Sequence, residues 1–277
     1  MLSARLISFC FLFSLLISSN RAFGEAVTFF KKDFTFPRET GLKKKDLVEM
    51  RKSSVPVLPQ LPESFDWRAV TPGGLSAVKN QGSCGSCYSF GTTSQLEDLL
   101  IIKSPFFSRL VLAPQEIVSC SDNYGCNGGW FNAVWDYVKK FGLPDESQFP
   151  YTASNSRCKY KTDSLVTIKD YFYIGEGDEP SVDELKRALI LYGPLAVSVY
   201  AGGDFMNYGG GVLNTCSRGR DVNHLVELVA FEKDVWVVRN SWGTEYGEDG
   251  FIRMKMLDSN GLKCNRIGEH ATAVILY

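Results

Sequence analysis

Two scarce side chains direct attention to chemistry. The 277 residues hold only two histidines, His224 and His270, and eight cysteines. Cys87 lies in Gln81-Gly82-Ser83-Cys84-Gly85-Ser86-Cys87-Tyr88, where glycines and serines feed a helical-looking run over 88–102. That pattern predicts a tight loop and then a helix with Cys87 in its first turn, with Phe90, Leu96, Leu99 and Leu100 able to face one side. A helix N-terminus offers unpaired N–H groups and a partial positive charge, both of which favour thiolate over thiol. Cys87 is therefore expected to have a lowered pKa and to be nucleophilic. On this segment alone it fits an inert core cysteine equally well. A thiolate that attacks an amide needs a proton donor for the leaving amine. His224, between Asp221-Val222-Asn223 and the apolar run 225–230, is a candidate, although a lone histidine there is more often a satisfied core residue. Trp236-Val237-Val238-Arg239-Asn240-Ser241-Trp242-Gly243 reads as a strand ending in Asn-Ser-Trp-Gly. Asn240 could accept from one imidazole nitrogen and turn the other toward sulfur, with Trp242 shielding that bond. An ordinary turn and a core aromatic are the competing readings.

The elements that must position these residues belong to an ordinary globular chain. Hydrophobic residues make up 44% and charged residues 22%, which rules out a disordered tail or a collagen. The net charge of −1 gives no electrostatic case for nucleic acid. Residues 1–24 carry Arg5, an apolar run over 6–17, and small residues Ala22 and Gly24. This is the pattern of a secretory signal, and the run is too short to span a membrane. Residues 25–60 hold eight basic and five acidic side chains and end in Val55-Pro56-Val57-Leu58-Pro59, while the remainder is acidic. A basic lead on an acidic body is expected to be a short pro-segment, and a solvated linker is the other reading. Once Cys10 leaves with the signal, seven cysteines remain. In an oxidising compartment that implies three bridges and one free thiol. Zinc would need a second Cys or His pair at matching spacing, and none is present, so no metal and no cofactor are expected.

Taken together, the Gln-Gly-Ser-Cys-Gly-Ser-Cys-Tyr, Asn-His and Asn-Ser-Trp-Gly strings resemble the papain-like cysteine proteases, the clan of papain and the cathepsins. Leu61-Pro62-Glu63-Ser64-Phe65-Asp66-Trp67-Arg68 resembles the mature start of many cathepsins, so the resemblance covers about residues 61–277. It implies Cys87 as nucleophile, His224 as its acid–base partner, Asn240 as orienter and Gln81 as an oxyanion-hole donor beside the Cys87 backbone N–H. It implies a resting thiolate–imidazolium pair. It also implies bridges Cys84–Cys126, Cys120–Cys158 and Cys216–Cys264, which leaves Cys87 spare. Substrate would meet Gly85, Gly128 and Gly129, where glycine lets an extended peptide approach closely. Asn223 and Trp242 would flank it. Trp130, Phe131, Ala133 and Ser198 would line a pocket for the second residue before the scissile bond. Its floor falls on Glu269 counting from Cys264, or on His270 aligning on Ile267. Glu269 there would tolerate a basic side chain beside apolar ones. The implied fold is α+β, with a helical left lobe over about 61–170 and an antiparallel β-barrel right lobe over about 171–277.

The chain also departs from the pattern. Tyr88 stands where most relatives carry Trp, and Cys-Gly-Ser-Cys-Tyr is nearest to dipeptidyl peptidase I (cathepsin C). That exopeptidase habit depends on a large added N-terminal domain, which residues 25–60 are too short to supply. An endopeptidase acting on peptides or proteins is therefore the expectation, with a dipeptidyl exopeptidase or a non-catalytic binding protein on the same fold as rivals. Tyr246 replaces a second Trp, which is expected to alter packing and leave catalysis intact. The pro-segment is a candidate inhibitor of the acidic body. No Asn-x-Ser/Thr sequon occurs, so N-glycan sorting has no handle. The expected product is a monomer in the secretory pathway, extracellular or in a lysosome- or vacuole-like compartment, with no nucleic-acid partner and no membrane after signal removal.

Overall fold

The computed structural model describes residues 52–53, 55–58, 60–158, 166–175 and 179–277, all within one unit, Val48–Tyr277. The expected signal and most of the expected pro-segment lie outside the described residues. Five helices are described: α1 (Trp67–Val70), α2 (Cys87–Lys103), α3 (Pro114–Cys120), α4 (Phe131–Phe141) and α5 (Val182–Tyr192). In α4 the buried residues Phe131, Val134, Trp135 and Val138 follow the spacing of one helical face. α5 opens on a capping box. The Ser181 hydroxyl accepts from the Glu184 N–H at 3.2 Å, and the Glu184 carboxylate accepts from the Ser181 N–H at 2.8 Å.

α2 differs from the one-sided helix that its sequence suggests. Every residue from Tyr88 to Ile101 is buried. One side packs with Ile117, Val134 and Trp135 in the helical core, and at Gly91 the other side lies against the backbone of Leu225 and Val226. Its buried polar groups therefore need partners. The Ser89 hydroxyl donates to the Pro114 carbonyl at 2.8 Å, and the Gln95 amide to the Pro194 and Thr272 carbonyls at 3.0 and 2.8 Å.

The strands are β1 (Lys52–Ser53), β2 (Ser64–Asp66), β3 (Asp170–Ile174), β4 (Leu195–Val199), β5 (Val212–Leu213), β6 (His224–Glu232), β7 (Val235–Arg239), β8 (Phe251–Lys255) and β9 (Ala271–Ile275). Their order is β1-β3-β9-β4-β6-β7-β8-β5, and β2 pairs with β6 beyond the reach of β4. Pairing is antiparallel except at the two ends, β1 on β3 and β5 on β8. The expected barrel is thus an open sheet. Each end strand is two residues long, too short to carry the continuous register that closure needs.

Disulfides join Cys84–Cys126, Cys120–Cys158 and Cys216–Cys264. Each such link typically adds about 2–4 kcal/mol by restraining the unfolded chain. Val55, inside the expected pro-segment, is buried in the same core as Trp67, Leu189 and Trp236, with Leu58 packed beside it. Val57 is 81% exposed. In the chain that retains this segment, Val55→Ala should cost about 1–2 kcal/mol of stability. Val57→Ala should cost nothing measurable. Urea unfolding of the two variants checks this, and equal midpoints would detach residues 55–58 from the core.

Candidate active site

The loop before α2 is held at several points. Cys84 is bridged to Cys126, and the Gly85 N–H donates to the Cys126 carbonyl at 3.0 Å. A Cβ at Gly85 would stand 2.5 Å from that carbonyl oxygen, so only glycine fits this approach. The Tyr151 hydroxyl donates to the Gln81 carbonyl at 2.7 Å and lies 2.7 Å from the Ser86 hydroxyl. Cys87 then opens α2, half-buried, as the unpaired cysteine among the described residues. The backbone N–H groups of Leu225, Tyr88 and Cys87 itself reach the thiol and favour its anion. Desolvation of the sulfur is larger and pushes its pKa up. This reverses the direction expected from the helix N-terminus alone. The Leu225 contact places the thiol beside the residue next to His224.

His224 is the first residue of β6 and is buried. Its Nε2 lies 2.8 Å from Asn240 Oδ1, which also accepts the Ser241 N–H at 2.8 Å. An amide oxygen can only accept, so Nε2 carries the hydrogen and Nδ1 of the neutral ring is the acceptor. Trp242 lies over the imidazole, with centroids 4.9 Å apart at 30°. Phe205 and Tyr246 meet Trp242 edge-on at 5.8 and 5.0 Å, and the Tyr246 hydroxyl donates to the Phe205 carbonyl at 2.7 Å. Burial lowers the His224 pKa from 6.5 to about 4, against the opposing Asn240 bond. Burial thus works against the expected ion pair at both members, raising the thiol pKa and lowering that of the ring.

The Gln81 side chain is fixed at both ends. Its Oε1 accepts from the Ser241 hydroxyl at 2.6 Å, and one amide N–H donates to the Cys84 carbonyl at 2.9 Å. Ser241 and Tyr151 thus support the site without having been singled out in the sequence. The signal for Ser241 lay inside Asn-Ser-Trp-Gly. Tyr151 has no local signal, because its partners are distant in sequence.

Gly128, Gly129 and Trp130, between a 3₁₀ turn, Gly125–Asn127, and α4, remain partly exposed, as does Ala133 in the first turn of α4. The Trp130 ring meets the His270 ring edge-on at 5.1 Å. Glu269 is not at that contact. Its carboxylate is buried and 2.7 Å from Arg266 Nε. Phe131 and Ser198 are fully buried and present no wall to a ligand. Phe131 packs in the helical core, and the Ser198 hydroxyl accepts the His270 N–H at 3.0 Å. Asn223 is exposed, with its side-chain oxygen taking the Ala201 N–H at 2.7 Å.

Residues 61–275 match the family described as papain family cysteine protease. The cysteine proteinase COT44 of Brassica napus is 38% identical over 221 residues, covering 75% of this chain and 64% of that protein. A cathepsin L-like proteinase of Fasciola hepatica is 38% identical over 204 residues, covering 70% of this chain and 60% of that protein. The chain thus spans less than two thirds of either relative. Among solved structures, the Carica candamarcensis cysteine protease CMS1MS2 in complex with E-64 superposes with a TM-score of 0.68 at 28% identity. That match covers 78% of this chain and 99% of the other.

Trp242 excludes water from His224, so Trp242→Ala should raise the His224 midpoint from about 4 toward 6.5. Imidazole NMR shifts across pH 3–8 check this. The sign for stability follows. Between about 4 and 6.5 the folded ring binds fewer protons than the unfolded one, so wild-type stability is lost as pH falls through that window. An unchanged midpoint in the variant would show that Trp242 does not set the environment of the ring.

Proposed function

The chain belongs to the papain family of cysteine proteases, and on that premise we propose that it is an endopeptidase using Cys87 and His224 as its reacting pair. The Cys87 sulfur attacks the scissile carbonyl as His224 Nδ1 takes the thiol proton. The oxyanion is held by the Cys87 backbone N–H and by the second N–H of the Gln81 amide. Collapse breaks the C–N bond, the amine leaves with the proton from His224, and a thioester remains on Cys87. Water, giving its proton to His224, then hydrolyses the thioester and returns the thiol. Asn240 keeps the ring turned with Nδ1 toward sulfur throughout. The Leu225 N–H on the Cys87 thiol, beside a His224 fixed at 2.8 Å to Asn240, carries this reading.

The resting protonation states set the pH behaviour. A ring that stays neutral down to about 4 can accept the thiol proton in mildly acidic compartments. The three disulfides suit an oxidising route, in keeping with a secreted, vacuolar or lysosomal protein. Among the described residues no helix is long and apolar enough to cross a membrane.

Substrate runs as an extended peptide past Gly128 and Gly129. Its second residue before the scissile bond meets Trp130, Ala133 and His270. Glu269 is engaged by Arg266, and burial keeps the His270 ring below its ordinary pKa. An uncharged, apolar side chain suits that space better than a basic one.

The enzyme should cleave amino-blocked peptides internally. Cys87→Ala should lower kcat by on the order of 10⁶-fold, as removal of a nucleophile does elsewhere. Gln81→Ala should lower kcat by about 10²–10³-fold with little change in KM. Cleavage assays on blocked and free-amine peptides check both. Activity confined to free-amine peptides would replace the endopeptidase with a dipeptidyl exopeptidase, and cleavage that survives Cys87→Ala would overturn the mechanism.

A further inference from the structure

A group of buried charges lies behind the site, where α2, β6 and β7 meet. Arg239, the last residue of β7 and the neighbour of Asn240, is 3% exposed. Its Nη2 lies 2.5 Å from Asp98 Oδ2 and also meets Glu227 Oε2. Its Nε donates to Glu227 Oε2 at 2.8 Å, and its Nη1 to the Ser76 carbonyl at 2.5 Å. Asp98 is on the helix that begins with Cys87, and Glu227 is on the strand that begins with His224. Both carboxylates are almost fully buried, and an oxygen of each lies against the same Arg239 Nη2.

The surroundings add no free cation. Glu97 on α2 is paired with Lys79 and accepts the Leu112 N–H at 2.7 Å. Across from Glu227 on β4 stands Ala196. Three carboxylates thus face two cations with water excluded. Glu227 Oε1 has no hydrogen-bond donor among the described residues. Two anions on one guanidinium nitrogen, out of water, repel each other at short range, and the usual relief is for one of them to keep its proton. Burial first, and then Asp98, hold the Glu227 carboxyl well above the usual carboxylate range, with Arg239 opposing.

We propose that Glu227 is a protonated positioning residue. It donates its proton to Asp98 beside Arg239, and this link holds the His224 strand and the Asn240 strand against the Cys87 helix. Loss of the proton leaves two carboxylates competing for one guanidinium nitrogen. β6 and β7 then shift against α2, and the Leu225 N–H and the His224 ring move off the thiol. The link rests on the reading of Cys87 and His224 as the reacting pair.

Glu227→Gln keeps a donor toward Asp98 and removes the titration. Asp98→Asn leaves Glu227 as the sole anion on Arg239. In the full chain, both variants should keep wild-type kcat within about 2-fold near pH 5, with KM unchanged. Both should move the alkaline limb of kcat upward by roughly one pH unit or more, which is the expected size for removing such a site. A residue that only fills space would lower activity at every pH without moving the limb. Superimposable pH profiles for the wild type and both variants overturn the proposal, as does loss of activity near pH 5 in a folded Glu227→Gln chain. Should neither variant fold, the wild type decides. The folded state keeps a proton that the unfolded state has released, so urea stability should fall as pH rises from the ordinary carboxylate value to that of the buried pair. A flat profile overturns the link. Cleavage surviving Cys87→Ala would instead remove the reacting pair itself, so the two failures are distinguishable.

Discussion

A helix buried along nearly its whole length must find partners for most of the polar groups it carries. α2 runs between the helical core and the sheet, with no residue from Tyr88 to Ile101 reaching solvent freely. Seven polar side chains go in with it: Ser89, Thr92, Thr93, Ser94, Gln95, Glu97 and Asp98. An orphaned buried donor or acceptor costs about 1–3 kcal/mol, and more when charged. Partners are therefore needed, and several of those distant in sequence belong to the sheet or to the loop entering it. Gln95 is tied to Pro194 and Thr272, and Asp98 to Arg239 and the Ser76 N–H. The bonds that make α2 tolerable inside the protein also fix the first residue of α2, Cys87, against β6.

The same exclusion of water shapes the chemistry. Cys87 and His224 both lose solvation, one pKa rises and the other falls, and each move disfavours charge. Burial therefore makes a separated ion pair costly in this site. On the proposed mechanism, charge arises as sulfur attacks, at a point where the Gln81 amide is already held by Ser241 and the Cys84 carbonyl. Preorganised dipoles in a dry site stabilise that charge more than water would, because they need no reorientation when it forms. The aromatic cage of Trp242, Phe205 and Tyr246 packs around the ring, and Tyr246 adds a hydroxyl tie to the Phe205 carbonyl.

Local motifs were the legible part of the sequence. A loop-to-helix step at Cys87 and a strand ending at Asn240 can be read from adjacent residues, and each is found there. The helix over Phe131–Phe141 was legible for the same reason, since its apolar spacing is a local property. Side-chain direction at a single residue was not. Glu269 and His270 are neighbours, and only the register against Ser198 decides which one faces Trp130. Phe131 turns inward because it starts the buried face of α4, and Ser198 because both faces of β4 are covered. The barrel was what the family resemblance implied, but closure depends on the length and pairing of β1 and β5, which are distant in sequence. α5 lies inside the stretch expected to form the barrel lobe, even though Ser181 and Glu184 carry a capping-box signature. The opposite pKa shift at Cys87 escaped notice because the helix N-terminus is visible in sequence and burial is not.

Tyr88 shows how a departure from the family pattern can be absorbed. The side chain is fully buried, and its hydroxyl donates to the Gly125 carbonyl at 2.9 Å. Gly125 begins the 3₁₀ turn that leads to Gly128 and Gly129. A Cβ at Gly129 would stand 2.8 Å from the Tyr88 ring and 2.5 Å from the Asn123 side-chain oxygen. The turn is therefore pressed onto the residue after the thiol, pulled by one hydrogen bond and by the Cys84–Cys126 bridge. Tyrosine fits the space and supplies the donor, so the wall beside the cleft is set from the same helical turn that presents the sulfur.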